Sequence, residues 1–123
     1  LLALLPEEVA RLPHRVFTAD QERIVIITVA ENADGTVEEY AGFAAGLYAP
    51  HIHDTIDSEF TIAAGKGVAL IGDERLPYVP GTVLKAPRGV AHGVEAASDT
   101  WLHTRLSGHI SDPKTGVSDF RHP

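Results

Sequence analysis

Glycine and proline turn signals recur along this chain at intervals too short for helices, and that rhythm confines it to short strands. Arg23–Ala30 reads Arg-Ile-Val-Ile-Ile-Thr-Val-Ala, rich in β-branched residues that suit a pleated, half-buried surface. Asn32-Ala33-Asp34-Gly35 then turns the chain into a second stretch, Val37–Leu47, which Gly42 and Gly46 can bend or bulge. Phe60–Ala64 and Val68–Ile71 follow, and Gly72-Asp73 leads into Arg75–Val79, where Pro77 demands an edge or irregular strand. Pro80-Gly81 opens Thr82–Ala86, then come Val90–Ala96 and, past Ser98-Asp99, Trp101–Leu106. Roughly eight or nine strands without an internal repeat predict an all-β sandwich or barrel.

A length of 123 residues with 44% hydrophobic content supports one domain with a modest core. The formal charge of −7, with no local cluster of Lys or Arg, argues against nucleic acid and against an anionic membrane surface as partners. Without cysteine there is no disulfide scaffold, zinc ribbon, thiol nucleophile or iron–sulfur cluster. Leu1–Leu5 is apolar but too short to span a bilayer and meets Pro6-Glu7-Glu8 at once. No Met stands at position 1, so residue 1 is read as not the true start. Residues 1–22 are predicted to form an N-terminal arm or short helix whose apolar side, with Val9 and Leu12, packs on the barrel or on a partner subunit. Residues 23–110 make the barrel, and 111–123 a tail with a turn at Asp112-Pro113-Lys114-Thr115-Gly116.

The chemistry-bearing residues are histidines. In a strand alternate side chains share a face, so His51 and His53 of His51-Ile52-His53 point the same way. Pro87-Arg88-Gly89 is a turn that returns the chain through Val90 and Ala91 to His92, delivering a third imidazole. Three imidazoles on one point hold a divalent transition metal and leave coordination positions open to a substrate. The other four of the seven histidines lie outside this constellation. His14, His109 and His122 sit in terminal or loop contexts and are read as solvated. His103 alternates with Trp101 and Arg105 on one strand face, which points either into the barrel mouth or outward. Asp54 and Asp57 are loop formers or hydrogen-bond partners of a ligand histidine. Phe60, Ile62, Val83, Val94 and Leu102 are expected to fill the barrel.

These residues resemble the two motifs of the cupin superfamily, small jelly-roll β-barrels. Gly81, five residues, Pro87, one residue, Gly89, two residues and His92 match the second motif, with Ala96 where the family usually has Asn. In the first motif Gly46 lies four residues before His51, and His51-Ile52-His53 matches. Ser58 then falls where the family places a glutamate ligand, and the carboxylate, Glu59, comes one residue late. A slip of one residue turns Glu59 away from the histidines unless a bulge compensates. A branch of the superfamily, similar to the diketone-cleaving dioxygenases, binds iron with three histidines and no carboxylate. Glu59 to Gly65, and Leu106-Ser107-Gly108-His109 with Asp112 and Gly116, are similar to that branch.

The resemblance, spanning residues 40 to 116, implies a single all-β cupin jelly-roll barrel. It implies His51, His53 and His92 as metal ligands, with Glu59 open as a fourth, and Glu59, His103 and Arg105 as candidate catalytic residues. The implied cofactor is a divalent transition metal, iron(II) favoured over zinc, nickel or manganese, and the implied partners are a small-molecule substrate and a second copy in a cytoplasmic homodimer. The activity implied first is dioxygenase-type oxidative cleavage of a chelating, oxygen-bearing substrate. Redox-neutral isomerase, lyase or cyclase chemistry, with Glu59, His103 or a metal-bound hydroxide as base, stays open beside it. So does a non-catalytic binding or sensor module.

Overall fold

Alternating apolar positions build two antiparallel sheets, seen here in a computed structural model that describes residues 1–19, 22–110, 114–115 and 117–123. After a 3-10 turn at Leu2–Leu4 and one short helix, α1 (Glu7–Ala10), the strands are β1 (Arg15–Ala19), β2 (Glu22–Glu31), β3 (Val37–Phe43), β4 (Gly46–His51), β5 (Ser58–Ala64), β6 (Gly67–Ile71), β7 (Glu74–Tyr78), β8 (Val83–Ala86), β9 (His92–Ala96) and β10 (Thr100–Leu106). The larger sheet runs β1-β2-β3-β10-β5-β8 and the smaller β4-β9-β6-β7. The expected all-β jelly roll is what forms. Asp112, Pro113 and Gly116, assigned above to a turn and to the likeness with three-histidine enzymes, lie outside the described residues. No helix among the described residues is long and apolar enough to cross a membrane.

Three elements differ from the sequence reading or sharpen it. The stretch read as one strand over Val37–Leu47 is two strands in different sheets: β3 pairs with β10 and β4 with β9. The corner between them is held by Asp99, whose carboxylate accepts the Ala45 N–H. The arm assigned to residues 1–22 contains β1, which pairs along its length with β2. Its five residues are too few for a clear period-2 signal. Pro77, by contrast, sits in β7 at the edge of the smaller sheet, the position its missing N–H requires.

The core forms on both faces of the larger sheet. Between the sheets, Phe60 and Ile62 of β5 and Leu84 of β8 meet Ala69 and Tyr78 of the smaller sheet. Leu102 and Val94 pack against this cluster as expected, but Val83 is 55% exposed and faces outward. On the outer face, Val25, Ile27 and Trp101 are covered by Leu5, Val9 and Leu12, so the N-terminal segment roofs the sheet. The Trp101 indole N–H donates to the Leu1 carbonyl at 2.7 Å, satisfying the one polar atom of a fully buried ring.

Gly42 makes that packing possible. A Cβ at this position would lie 2.5 Å from Trp101 ring carbons, inside van der Waals contact. Gly42→Ala is therefore expected to destabilise the fold by about 1–3 kcal/mol, the cost of overpacking a rigid site. Chemical denaturation with Trp101 fluorescence as the probe measures it, since Trp101 is the only tryptophan.

Candidate metal centre

Local chain geometry explains how three distant histidines meet. β4 ends at His51, whose ladder partner is His92, the first residue of β9. Ile52 then leaves the sheet and exchanges backbone hydrogen bonds with Arg121, the N–H of each donating to the carbonyl of the other. The carbonyl of His53 accepts the Gly89 N–H at 2.8 Å, which ties the first histidine pair to the turn that delivers the third. Gly89 has φ +79°, a conformation that costs other residues about 1 kcal/mol or more. Asp57 fixes the same turn by accepting the Arg88 backbone N–H and its guanidinium, and those bonds hold its carboxyl down at about 2.

The three rings are mutually in contact, with centroid separations of 4.8 Å for His51–His53, 4.2 Å for His51–His92 and 4.9 Å for His53–His92. One ring nitrogen from each lies within 4.8 Å of the others. His53 Nδ1 faces the Asp119 carbonyl at 2.5 Å, and His92 Nδ1 faces the Val90 carbonyl at 3.3 Å. A carbonyl only accepts, so in both rings the proton belongs on Nδ1 and the Nε2 lone pair is left for a metal. His51 Nδ1 is buried and makes no hydrogen bond of good geometry with the described residues. Imidazole nitrogens in this state suit iron, zinc, nickel, manganese or copper, so these residues fit a divalent transition metal.

Burial keeps all three rings neutral. It lowers His51 to about 2, with the nearby His92 and His53 adding to the effect, and lowers His92 to about 4, with His53 adding. His53 is lowered for the same reason, partly offset by its bond to Asp119. An unfolded histidine takes up its proton near pH 6.5, well above these folded values. Between about pH 6.5 and 4 the unfolded metal-free chain thus binds protons that the folded chain refuses, and stability falls as pH falls. Calorimetry of the metal-free protein is expected to show a melting temperature that drops steadily from about pH 6.5 to about pH 4. A flat or rising profile contradicts the neutral cluster.

The C-terminal segment completes the site, and sequence reasoning missed it. The Asp119 carboxylate accepts the N–H groups of Asp54, Thr55 and Ile56 and the Thr55 hydroxyl, all at 2.8–3.1 Å. Burial raises its pKa, but these bonds outweigh that and hold it below the ordinary carboxylate range. Phe120 stacks on His51 with centroids 4.4 Å apart and planes 20° from parallel. Arg121 pairs with Asp54 at 2.8 Å. The only hint in the sequence was the low Gly and Pro content of Val117–His122, too faint to separate a strap from a tail.

The histidines line a cavity of about 120 Å³ between the sheets. Its walls are mainly apolar, with Phe17, Ile24, Ile26 and Phe60 among them, and its acidic members are Glu22 and Glu39. Ser58 faces this cavity, and Glu59, the next residue, faces the other way. The β5–β8 pairing is regular from Ser58 to Thr61, so no bulge turns Glu59 back. It is exposed and lies 3.7 Å from Lys85. His103 and Arg105 also stand on the outer face: His103 stacks on Tyr40 at 4.6 Å, and Arg105 is exposed, while Leu102, Thr104 and Leu106 take the cavity side. Thus the structure brings together His51, His53 and His92 and leaves Glu59, His103 and Arg105 outside. Asp54 and Asp57 brace the loop through Arg121 and Arg88 and do not hydrogen-bond a ring. His14 is exposed as expected, but His109 is mostly buried, 3.1 Å from Glu31 and 3.8 Å from Glu39. His122 packs edge-on against Phe120, and its Nδ1 faces the Pro50 carbonyl.

Strand order, the histidine triad at the sheet edge and the cavity behind it define a barrel with the cupin fold, and solved structures share that fold. A cupin 2 conserved barrel domain protein from Rhodopseudomonas palustris superposes with TM-score 0.70 at 12% identity, over 92% of this chain and 78% of that one. The protein TT1209 from Thermus thermophilus gives TM-score 0.57 at 26% identity, over 68% of this chain and 81% of that chain. The capsular polysaccharide assembling protein CapF from Staphylococcus aureus gives TM-score 0.64 at 20% identity over 98% of this chain, which spans 34% of CapF. No protein-family model matches the sequence, and no curated protein matches it.

Proposed function

We propose that this protein is a metalloenzyme that holds a divalent transition metal, iron(II) first, through His51, His53 and His92 and oxidatively cleaves a small substrate bound to the ion by two oxygens. The observation that carries this reading is a set of three neutral imidazoles, with no carboxylate among them, opening on an apolar cavity. Neutral ligands leave the ion its full charge, which favours anionic chelating groups such as enolates and 2-oxo acids. When bound, iron supplies Lewis acidity and a site for dioxygen. The chain's own part is to orient and to exclude water: Asp119 and Val90 fix two rings through their carbonyls, and Phe17, Ile24, Ile26 and Phe120 dry the cavity.

Redox-neutral isomerisation or elimination would need a base beside the substrate, either a protein group or a metal-bound hydroxide. Glu59 and His103 stand outside the cavity. The cavity's two carboxylates, Glu22 with one oxygen on the Ala49 N–H and Glu39 with one oxygen on Arg15 and Thr28, are the protein groups left for that role. The test is anaerobic reconstitution with iron(II), followed by oxygen-uptake measurements across β-diketones and 2-oxo acids. Uptake with at least one series, absent in His53→Ala, is expected. Tight zinc binding with no oxygen use by the iron form would overturn the oxidative reading, and turnover without oxygen would replace it with the redox-neutral one.

A further inference from the structure

One buried carboxyl group in the cavity is not used by the metal reading. Glu39 on β3 is 4% exposed and lines the same cavity as the three histidines. Its Oε2 accepts the Thr28 hydroxyl and the Arg15 guanidinium, both at 3.0 Å, which accounts for one oxygen and for the anchoring of β1. Its Oε1 accepts no hydrogen bond from the described residues. Beside it, His109 Nε2 faces the Glu31 carboxylate at 3.1 Å, so the ring proton belongs there. The ring's buried Nδ1 lies 3.8 Å from Glu39 Oε2, beyond hydrogen-bond distance, and has no hydrogen-bond partner among the described residues. Glu39 thus presents, in mainly apolar surroundings, one carboxylate oxygen that no donor among the described residues meets, a place for a donor that enters the cavity.

We infer that Glu39 is the specificity-determining residue of the cavity and receives a hydrogen bond from a hydroxyl on the substrate, remote from its chelating oxygens. The substrate is then a two-ended molecule: a pair of oxygens for the metal, a short apolar body for Phe17, Ile24, Ile26 and Phe60, and a hydroxyl for Glu39. This rests on the reading of His51, His53 and His92 as a metal centre that binds a chelating substrate. A carboxylate oxygen without a partner of its own disfavours an analogue that lacks the hydroxyl, because filling the cavity then strips the carboxylate of water and returns no bond.

The experiment uses the full chain loaded with zinc, which removes turnover, and calorimetric titration with 2-oxo acids of about four to seven carbons ending in methyl, methoxy or hydroxyl. At one chain length the hydroxyl acid is expected to bind at least about tenfold more tightly than the methyl and methoxy acids. In Glu39→Ala that preference is expected to vanish, because the hydroxyl acid loses its bond and the methyl acid, which no longer strips a carboxylate of water, binds more tightly than to the unaltered protein. Equal binding of all three endings at every length, or a preference that survives in Glu39→Ala, would overturn the role of Glu39 and leave the metal reading standing. No metal-dependent binding by any acid would overturn the chelating-substrate reading itself, and this inference with it. Should Glu39→Ala not fold, the comparison of endings in the unaltered protein decides alone.

Discussion

His92→Ala is expected to weaken binding of a divalent transition metal by at least about 100-fold, the largest effect that a single side chain outside the core should have here. Structural zinc sites with four ligands are worth about 10–16 kcal/mol, so one ligand carries about 3 kcal/mol, and each 1.4 kcal/mol is about tenfold in affinity. No second role is visible for the His92 side chain, since its Nδ1 contact with the Val90 carbonyl is long at 3.3 Å and the ladder of the strand it begins is made by backbone groups. The variant should fold, and circular dichroism checks this. Competition titration with zinc against a chromophoric chelator measures the loss. Glu59→Gln is the matched control, expected to bind metal within about twofold of the unaltered protein because Glu59 points away from the triad. An equal loss in both variants would contradict the site.

Asp119→Ala is expected to lower metal affinity by about 10- to 100-fold although Asp119 is not a ligand, the range found when outer-shell partners of metal-binding histidines are removed. Its carboxylate gathers the backbone N–H groups of residues 54–56, and its carbonyl takes the His53 ring proton, so it sets both the loop after His53 and the ring's tautomer. Truncating the carboxylate should release the segment that carries Phe120 off His51. Limited proteolysis is expected to cut near residues 117–123 in Asp119→Ala and not in the unaltered chain. Asp119→Asn, which keeps a carbonyl acceptor, should fall between the two. Metal affinity within about twofold of the unaltered protein, with the segment still protected, would sink the positioning role.

The triad was legible in the sequence because strand alternation and a Pro-Arg-Gly turn are short-range properties. Ser58 in place of a carboxylate was legible for the same reason, since a period of two assigns Ser58 and Glu59 to opposite faces, and the regular β5–β8 register keeps them there. His103 and Arg105 were placed on one face with Trp101, but which face was inside depended on what covered the other. Leu1, Leu5 and Val9 roof Trp101, and although the arm was expected to pack on the barrel or a partner, nothing in a local pattern says which strand face it covers. Glu39, Asp119 and Phe120 escaped for a longer-range reason. A glutamate in a mixed strand reads as solvated until Arg15, 24 residues away, is seen beside it, and Asp119 acts on a loop more than 60 residues upstream.

The most direct measurement is metal analysis of protein purified without a histidine tag, paired with His51→Ala prepared in the same way. The three-histidine centre requires close to one divalent transition-metal ion per chain in the unaltered protein and little or none in the variant. The same substoichiometric metal in both would contradict it.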